Sequence, residues 1–126
     1  MLRNAVELQT YQASGRKCKI LLSEEETGTK EMSALLVEFE PGKGTPIHTH
    51  DGIEVMYVIS GEGISVEDGK ERKIYPNTTV LAETGVPHAI VNGPNSTMRM
   101  LCMYMPPLPD SYIKANYAAI DENFLK

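Results

Sequence analysis

Gly42-Lys43-Gly44-Thr45-Pro46-Ile47-His48-Thr49-His50-Asp51-Gly52-Ile53-Glu54 holds two of the chain's three histidines; the third is His88. Side chains two residues apart on an extended chain point to the same face. A strand through His48 and His50 therefore aims both imidazoles one way. Asp51-Gly52 is a turn signal, and the run Glu54-Val55-Met56-Tyr57-Val58-Ile59 is rich in β-formers and reads as the return strand. Glu54, at its start, comes back beside the histidines. His88 opens a later strand-like run, His88-Ala89-Ile90-Val91. Drawn from three strands, the set amounts to three imidazole nitrogens and one carboxylate oxygen. That is a donor set for a divalent transition metal, with up to two octahedral positions left for water or substrate. A His-x-His pair by itself is a weak signal and is commonly polar surface. The glutamate, the bounding glycines Gly42 and Gly61, and the distant His88 turn it into a candidate site.

Outward from this stretch the chain reads as short strands separated by turns. Arg16 to Leu22 is a strand, and Ser23-Glu24-Glu25-Glu26-Thr27-Gly28 a charged, solvated connection. Glu31 to Glu40 follows, with Ser33, Leu35, Val37 and Phe39 on one face, and Pro41-Gly42-Lys43-Gly44 is a turn that leaves Lys43 in solvent. After the Glu54 strand, Ser60 to Gly63 turns and Ile64 to Glu67 runs into Asp68-Gly69, a hairpin signal. Lys70 to Tyr75 returns, Pro76-Asn77 turns, and Thr78 to Ala82, His88 to Val91 and Met98 to Met105 complete the set. Asn92 begins the turn before the last strand and reads as a turn residue rather than a ligand. Turns thus recur every eight to twelve residues over 16 to 106, the mark of an all-β antiparallel sandwich or barrel. Residues 1 to 15 read as an edge strand or an arm. Pro106, Pro107 and Pro109 end the pattern, and Asp110 is placed to cap a short helix over about 111 to 120. Ile113, Tyr117 and Ile120 would share one face of it, packed on the chain's own barrel, on a partner subunit or as a lid.

Gly42 to Gly61 resembles, position for position, the first motif of the cupin superfamily. Gly85-Val86-Pro87-His88-Ala89-Ile90-Val91-Asn92 resembles the end of its second motif. Glu83 stands at that motif's proline position and Asn77 at its leading glycine, departures that bear on turn geometry and not on ligation. The resemblance covers about residues 16 to 106. It implies a small β-barrel, a jelly roll or double-stranded β-helix, with one divalent ion (Mn, Fe, Ni or Zn) held by His48, His50, Glu54 and His88. The corresponding organisation is one cupin domain over 1–126, with a barrel core at about 16–106 and a helical tail at about 107–126.

Composition narrows the partners. Seventeen acidic against twelve basic side chains leave a net charge of −5, with no basic cluster, so nucleic acid is not an expected partner. No apolar run approaches the roughly 20 residues that span a bilayer, and the first residues lack the apolar core of a signal peptide. A cytoplasmic location is the default expectation. Cys18 and Cys102 lie far apart and read as free, packed thiols. Met98, Met100, Met103 and Met105 crowd one strand that is apolar on both faces. Such a strand is buried on both, and Val55, Tyr57 and Ile59 suggest the same for the Glu54 strand. A homodimer is the expected cover for the outer face, a state the resemblance to small cupins also implies. Flexible filler is the expected use of the methionines, ahead of a soft copper site.

The reaction is less legible. No Ser/His/Asp set exists, and Gly61-Glu62-Gly63 opens no helix and is no phosphate loop. A general base is left to hydroxide on the metal, a tyrosine such as Tyr57 or Tyr104, or a carboxylate. Arg99, alone in an apolar strand, would hold a substrate carboxylate if it faced inward and an ion pair if it faced out. The expectation is a metal-dependent enzyme (dioxygenase, isomerase or lyase) acting on a small oxygenated, chelating molecule. The alternative is a binding module that grips such a ligand without turnover.

Overall fold

Alternation of buried and half-exposed residues is clearest in the strand that follows the histidines, where Glu54, Met56 and Val58 are buried and Val55, Tyr57 and Ile59 are not. That period of two recurs through the computed structural model, which describes residues 1–126. The strands are β1 (Thr10–Ala13), β2 (Arg16–Leu22), β3 (Ser33–Phe39), β4 (Ile53–Ser60), β5 (Gly63–Glu67), β6 (Lys70–Ile74), β7 (Thr79–Ala82), β8 (His88–Asn92), β9 (Met98–Met105) and β10 (Ala118–Ile120). Two short helices, α1 (Glu24–Thr27) and α2 (Asp110–Asn116), and a 3₁₀ turn at Ala5–Glu7 complete the chain.

All pairings are antiparallel. The seven-stranded sheet runs β10-β1-β2-β3-β9-β4-β7 and the three-stranded sheet β6-β5-β8. Their inner faces share one apolar core, with Cys18, Val37, Phe39, Val58, Met98 and Met100 from the larger sheet against Ile74 and Ile90 from the smaller. This is the expected all-β jelly-roll barrel with a short C-terminal helix. Both cysteines are free and buried in that core. No helix is long and apolar enough to cross a membrane.

The segment carrying His48 and His50 departs from expectation. It forms no regular strand and touches β8 only through isolated bridges, Gly44 to Val91 and His48 to His88. Pro46 explains the interruption, because it has no N–H to give to a ladder. The segment is nonetheless pinned. Thr45 N–H donates to the Ile90 carbonyl at 2.9 Å, Asn92 N–H to Lys43 at 2.8 Å, and His48 and His88 exchange both backbone bonds at 3.0 Å. Gly44 permits this closeness, since a Cβ built there would lie 2.1 Å from the Ile90 carbonyl oxygen.

The termini also differ. Helix α2 ends at Asn116 rather than about 120, and Ala118–Ile120 becomes β10, with Ile120 opposite Thr10 of β1. β1 would otherwise leave a row of unpaired backbone groups, and pairing them outweighs the helical preference of the tail. Ile113 and Tyr117 still pack on the chain's own barrel. Asp110 does not cap the helix; Pro109 holds that position without a side-chain bond, and the buried Asp110 carboxylate accepts from Ser23 Oγ at 2.9 Å. The acidic connection forms the single turn α1, capped by Ser23. On the outer face of β2, Lys19 is wholly buried. Its Nζ donates to the Ala5 carbonyl at 2.7 Å and to Asn123 Oδ1 at 2.8 Å, tying both ends of the chain to the barrel.

Candidate metal centre

His48 and His50 come from the pinned loop, Glu54 from the second position of β4, and His88 from the start of β8. One ligand atom from each of the four lies within 4.8 Å of all the others. The regular strand foreseen for the two loop histidines is therefore not needed to bring them together. The backbone bridge between His48 and His88 does it instead.

Each imidazole is held by its own backbone. His48 Nδ1 lies 2.8 Å from the Pro46 carbonyl, His50 Nδ1 2.8 Å from that of Gly52, and His88 Nδ1 2.9 Å from that of Val86. A carbonyl oxygen only accepts, so each Nδ1 must carry the proton and donate. The Nε2 lone pair is then the free one on every ring. This is how metal-binding histidines are usually oriented, with the non-ligating nitrogen donating to a carbonyl. All three rings crowd one point, with His48 and His88 centroids 4.3 Å apart and His50 and His88 4.8 Å apart.

The Nε2 atoms meet an acceptor. Glu54 Oε1 is 3.1 Å from His50 Nε2 and 3.5 Å from His88 Nε2. His88 Nε2 is buried and has no hydrogen-bond partner. Neutral imidazoles in this tautomer turn lone pairs toward a carboxylate, an arrangement that needs a cation among them. The donors therefore fit a divalent transition metal.

The titration behaviour has matching causes. Burial alone would raise the Glu54 carboxyl, but hydrogen bonds from His88 and His50, made when a proton on Nε2 stands in for the ion, and from the Tyr104 hydroxyl outweigh it and hold it below the ordinary carboxylate range. His88 is raised by the Glu54 carboxylate against the opposing effect of burial. His48 is lowered, first by burial. Tyr104, opposite Glu54 on β9, is pushed well above its usual range by burial and then by the Glu54 charge, so it stays a neutral phenol.

Behind the four residues lies a cavity of about 50 Å³ in the barrel interior. Leu35, Val37, Phe39, Met56, Ile90 and Met100 make its apolar wall; Arg16, Thr45, Tyr104 and Tyr117 are the polar groups. Tyr104 is thus where the sequence placed a candidate base. Tyr57 is not: it stands on the outer face of β4 and donates to Asn77 Oδ1 at 2.6 Å. Arg99 also faces outward, where it pairs with Glu38 at 2.7 Å and reaches the Phe124 carbonyl. The methionines divide, with Met98 and Met100 in the core and Met103 and Met105 on the other face. Asn92 is more than a turn residue. Its buried side-chain amide lies 3.2, 3.1 and 2.6 Å from the carbonyls of Phe39, Glu40 and Ser96, locking the far end of β8 to β3. The sequence marks neither Arg16 nor Tyr117 as a site residue, Tyr117 reading there only as part of the packing face of the tail. Arg16 has the same parity as Cys18 and Ile20, which was the available signal for an inward cation.

The cupin domain model matches residues 35–104, more than half of the 126 residues. The chain belongs to the cupin family. Among relatives of this cupin, an oxalate-binding protein of Thermotoga maritima is 29% identical over 84 residues, covering 66% of this chain and 69% of that one. Auxin-binding protein T85 of Nicotiana tabacum is 31% identical over 102 residues, 79% of this chain but half of the relative. Among solved structures, a predicted oxalate decarboxylase of Thermotoga maritima superposes with a TM-score of 0.76 at 22% identity, over 84% of this chain and 99% of that one. An ectoine synthase from P. lautus does so with a TM-score of 0.77 at 20% identity, over 95% and 89%. At these identities the two structures speak to the fold.

Proposed function

We propose that this cupin is a metal-dependent enzyme of dioxygenase, isomerase or lyase type. Its substrate is a small oxygenated molecule that chelates an ion held by His48, His50, Glu54 and His88. The observation that carries the reading is the orphaned, buried Nε2 of His88, aimed with its neighbours at one carboxylate. A divalent transition metal bound there supplies a Lewis acid that polarises a ligand oxygen. The chain's own residues supply the rest. Glu54 reduces the net charge of the site. Met56, Ile90 and Met100 exclude water and so strengthen charge interactions inside. Tyr104 keeps a proton on its phenol oxygen beside Glu54 and can lend a hydrogen bond to a developing negative charge. Metal analysis of the purified protein, followed by a screen of keto acids, diols, phenols and sugar acids for product or oxygen uptake before and after chelation, tests it. Turnover that disappears with the metal and returns with one ion is the expected result; binding without product in every case defeats the enzyme reading.

A second reading, a metal-dependent binding module, is favoured by two specific observations. A relative carries the name of an oxalate-binding protein, and Tyr104, the cavity tyrosine paired with Glu54, is held protonated and is a poor base. Saturable calorimetric binding of a small acid with no chemical change would support it.

The same proposal places the chain in a homodimer within the cytoplasm. The outer face of the large sheet remains apolar, with Ile59 47% and Leu81 45% exposed beside half-buried Val55 and Tyr57. A two-fold contact is the commonest cover for such a face. Two free thiols suit a reducing compartment.

A further inference from the structure

Arg16 lines the same cavity as His48, Glu54 and His88, yet it forms no ion pair. The other paired lysines and arginines meet their acids on outer surfaces: Arg3 with Glu26, Lys17 with Glu122, Arg99 with Glu38 and Lys114 with Glu25. Arg16 is held by neutral groups instead. Its Nε donates to Tyr117 Oη at 2.8 Å, and Nη1 reaches the Gly44 carbonyl at 3.4 Å. The guanidinium carbon lies 5.3 Å from the Tyr117 ring centroid. Nη2 makes no hydrogen bond to the protein. A guanidinium carries five N–H donors in a planar fork that matches a carboxylate. Most of that capacity is unspent here, in a cavity whose wall is largely apolar. A partly buried cation with no ion-pair partner is costly unless a ligand supplies one.

We propose that Arg16 is a ligand-binding residue that selects a small carboxylic acid: its guanidinium takes the carboxylate while another oxygen of the same molecule lies at the His48, His50, Glu54 and His88 cluster. The inference rests on the metal-dependent reading above and names its substrate class. Cavity size limits the acid. About 50 Å³ is room for roughly three to five waters, which favours a short acid over a longer one. Tyr117 is a positioning residue. It fixes the fork by accepting from Nε, with its ring centroid 5.3 Å from the guanidinium carbon, which gives the C-terminal segment after α2 a part in the site.

The test uses calorimetry with malonate, acetate and neutral 1,3-propanediol on the zinc-loaded protein, with metal content measured in every sample. Wild type should bind malonate and not the diol. Arg16→Gln should keep its metal and lose at least about tenfold in malonate affinity, the effect of a hydrogen bond to a charged group. Tyr117→Phe should lose less, with the pH dependence of binding unchanged, since it alters only the aim of a permanently charged group. If Arg16→Gln does not fold, Arg16→Met, which keeps the apolar stem, carries the same comparison. Equal malonate affinity in wild type and variant, or no carboxylate binding by wild type, overturns the proposal while leaving the metal reading intact. If wild type takes up no metal, the metal reading fails by itself. Malonate-induced chemical-shift changes in metal-free wild type and Arg16→Gln then decide the role of Arg16: loss of the changes in the variant supports it, and equal changes overturn it.

Discussion

At the scale of single residues, three carbonyls decide the chemistry. Pro46, Gly52 and Val86 each take the Nδ1 proton of a histidine, so the three Nε2 atoms reach the site as lone pairs before any ion arrives. Removing one ligand therefore costs more than one contact. His88→Ala is expected to weaken metal binding by at least about 100-fold, since even outer partners of a ligand cost about 10–100-fold; metal content after dialysis checks it. The pH dependence follows from His88 and Glu54. A raised His88 contributes stability that is fully present below its unfolded value of about 6.5 and lost as pH rises through its folded value. A depressed Glu54 contributes stability present above about 4.3 and lost as pH falls further. The metal-free pair is thus best matched in mildly acidic solution, where a proton occupies the place of the ion. Metal binding must displace that proton. The rise in melting temperature on adding zinc should therefore be larger at pH 8 than at pH 6, and an equal rise at both would contradict the assignment. The thiols are simpler. Burial pushes Cys18 up to about 12 and Cys102 well above the ordinary thiol range, so neither should react with a disulfide reagent at pH 8 until the protein is denatured.

At the scale of elements, the site depends on a loop behaving as a strand without being one. Residues 43–48 lie along β8 through a handful of bonds on either side of Pro46. Gly44 is the tightest point. Gly44→Ala drives a methyl group against the Ile90 backbone, which must shift; the expected loss is about 1–3 kcal/mol, with weaker metal binding because His48 rides on the same segment. Urea unfolding beside a metal titration reads both. Asn92 holds the other end of β8, and Asn92→Ala leaves the Phe39, Glu40 and Ser96 carbonyls without its amide. A loss of about 1–3 kcal/mol is expected. One departure from the family motif is explained here as well. Asn77, in place of the motif's glycine, adopts φ 74°, a left-handed conformation that asparagine tolerates better than most residues, and its side chain accepts from Tyr57.

At the scale of the whole molecule, the two ends of the chain meet on the outside of β2. Lys19 bonds the 3₁₀ turn near the N-terminus and Asn123 near the C-terminus, while its ammonium lies 5.7 Å from the Phe124 ring centroid. Lys19→Met removes these bonds and leaves the core and the metal site untouched. Both ends should become sensitive to protease while metal content stays the same; unchanged protection would show that β10 pairing with β1 suffices. The dimer is tested by light scattering, where a mass near one 13.9 kDa chain would count against it.

Much of this was legible in the sequence, because local rules carry it. The period of two in Glu54, Met56 and Val58 sorts inside from outside without knowledge of neighbours, and the three histidines with Glu54 identify themselves by donor type and spacing. Turn residues mark where β4 to β9 begin and end to within a residue or two. What the tertiary structure decided involves partners remote in sequence. Whether Arg99 faces a substrate or Glu38 depends on strand register, which a lone charge in a doubly apolar strand does not announce. The tail beyond Asn116 becomes a strand because β1, more than a hundred residues earlier, has an unpaired edge to satisfy. His48 meets His88 through a backbone bridge that no spacing encodes. The inward cation at Arg16 acquires meaning only when the barrel closes around it, since the lack of an ion-pair partner is a property of the folded barrel and not of the strand.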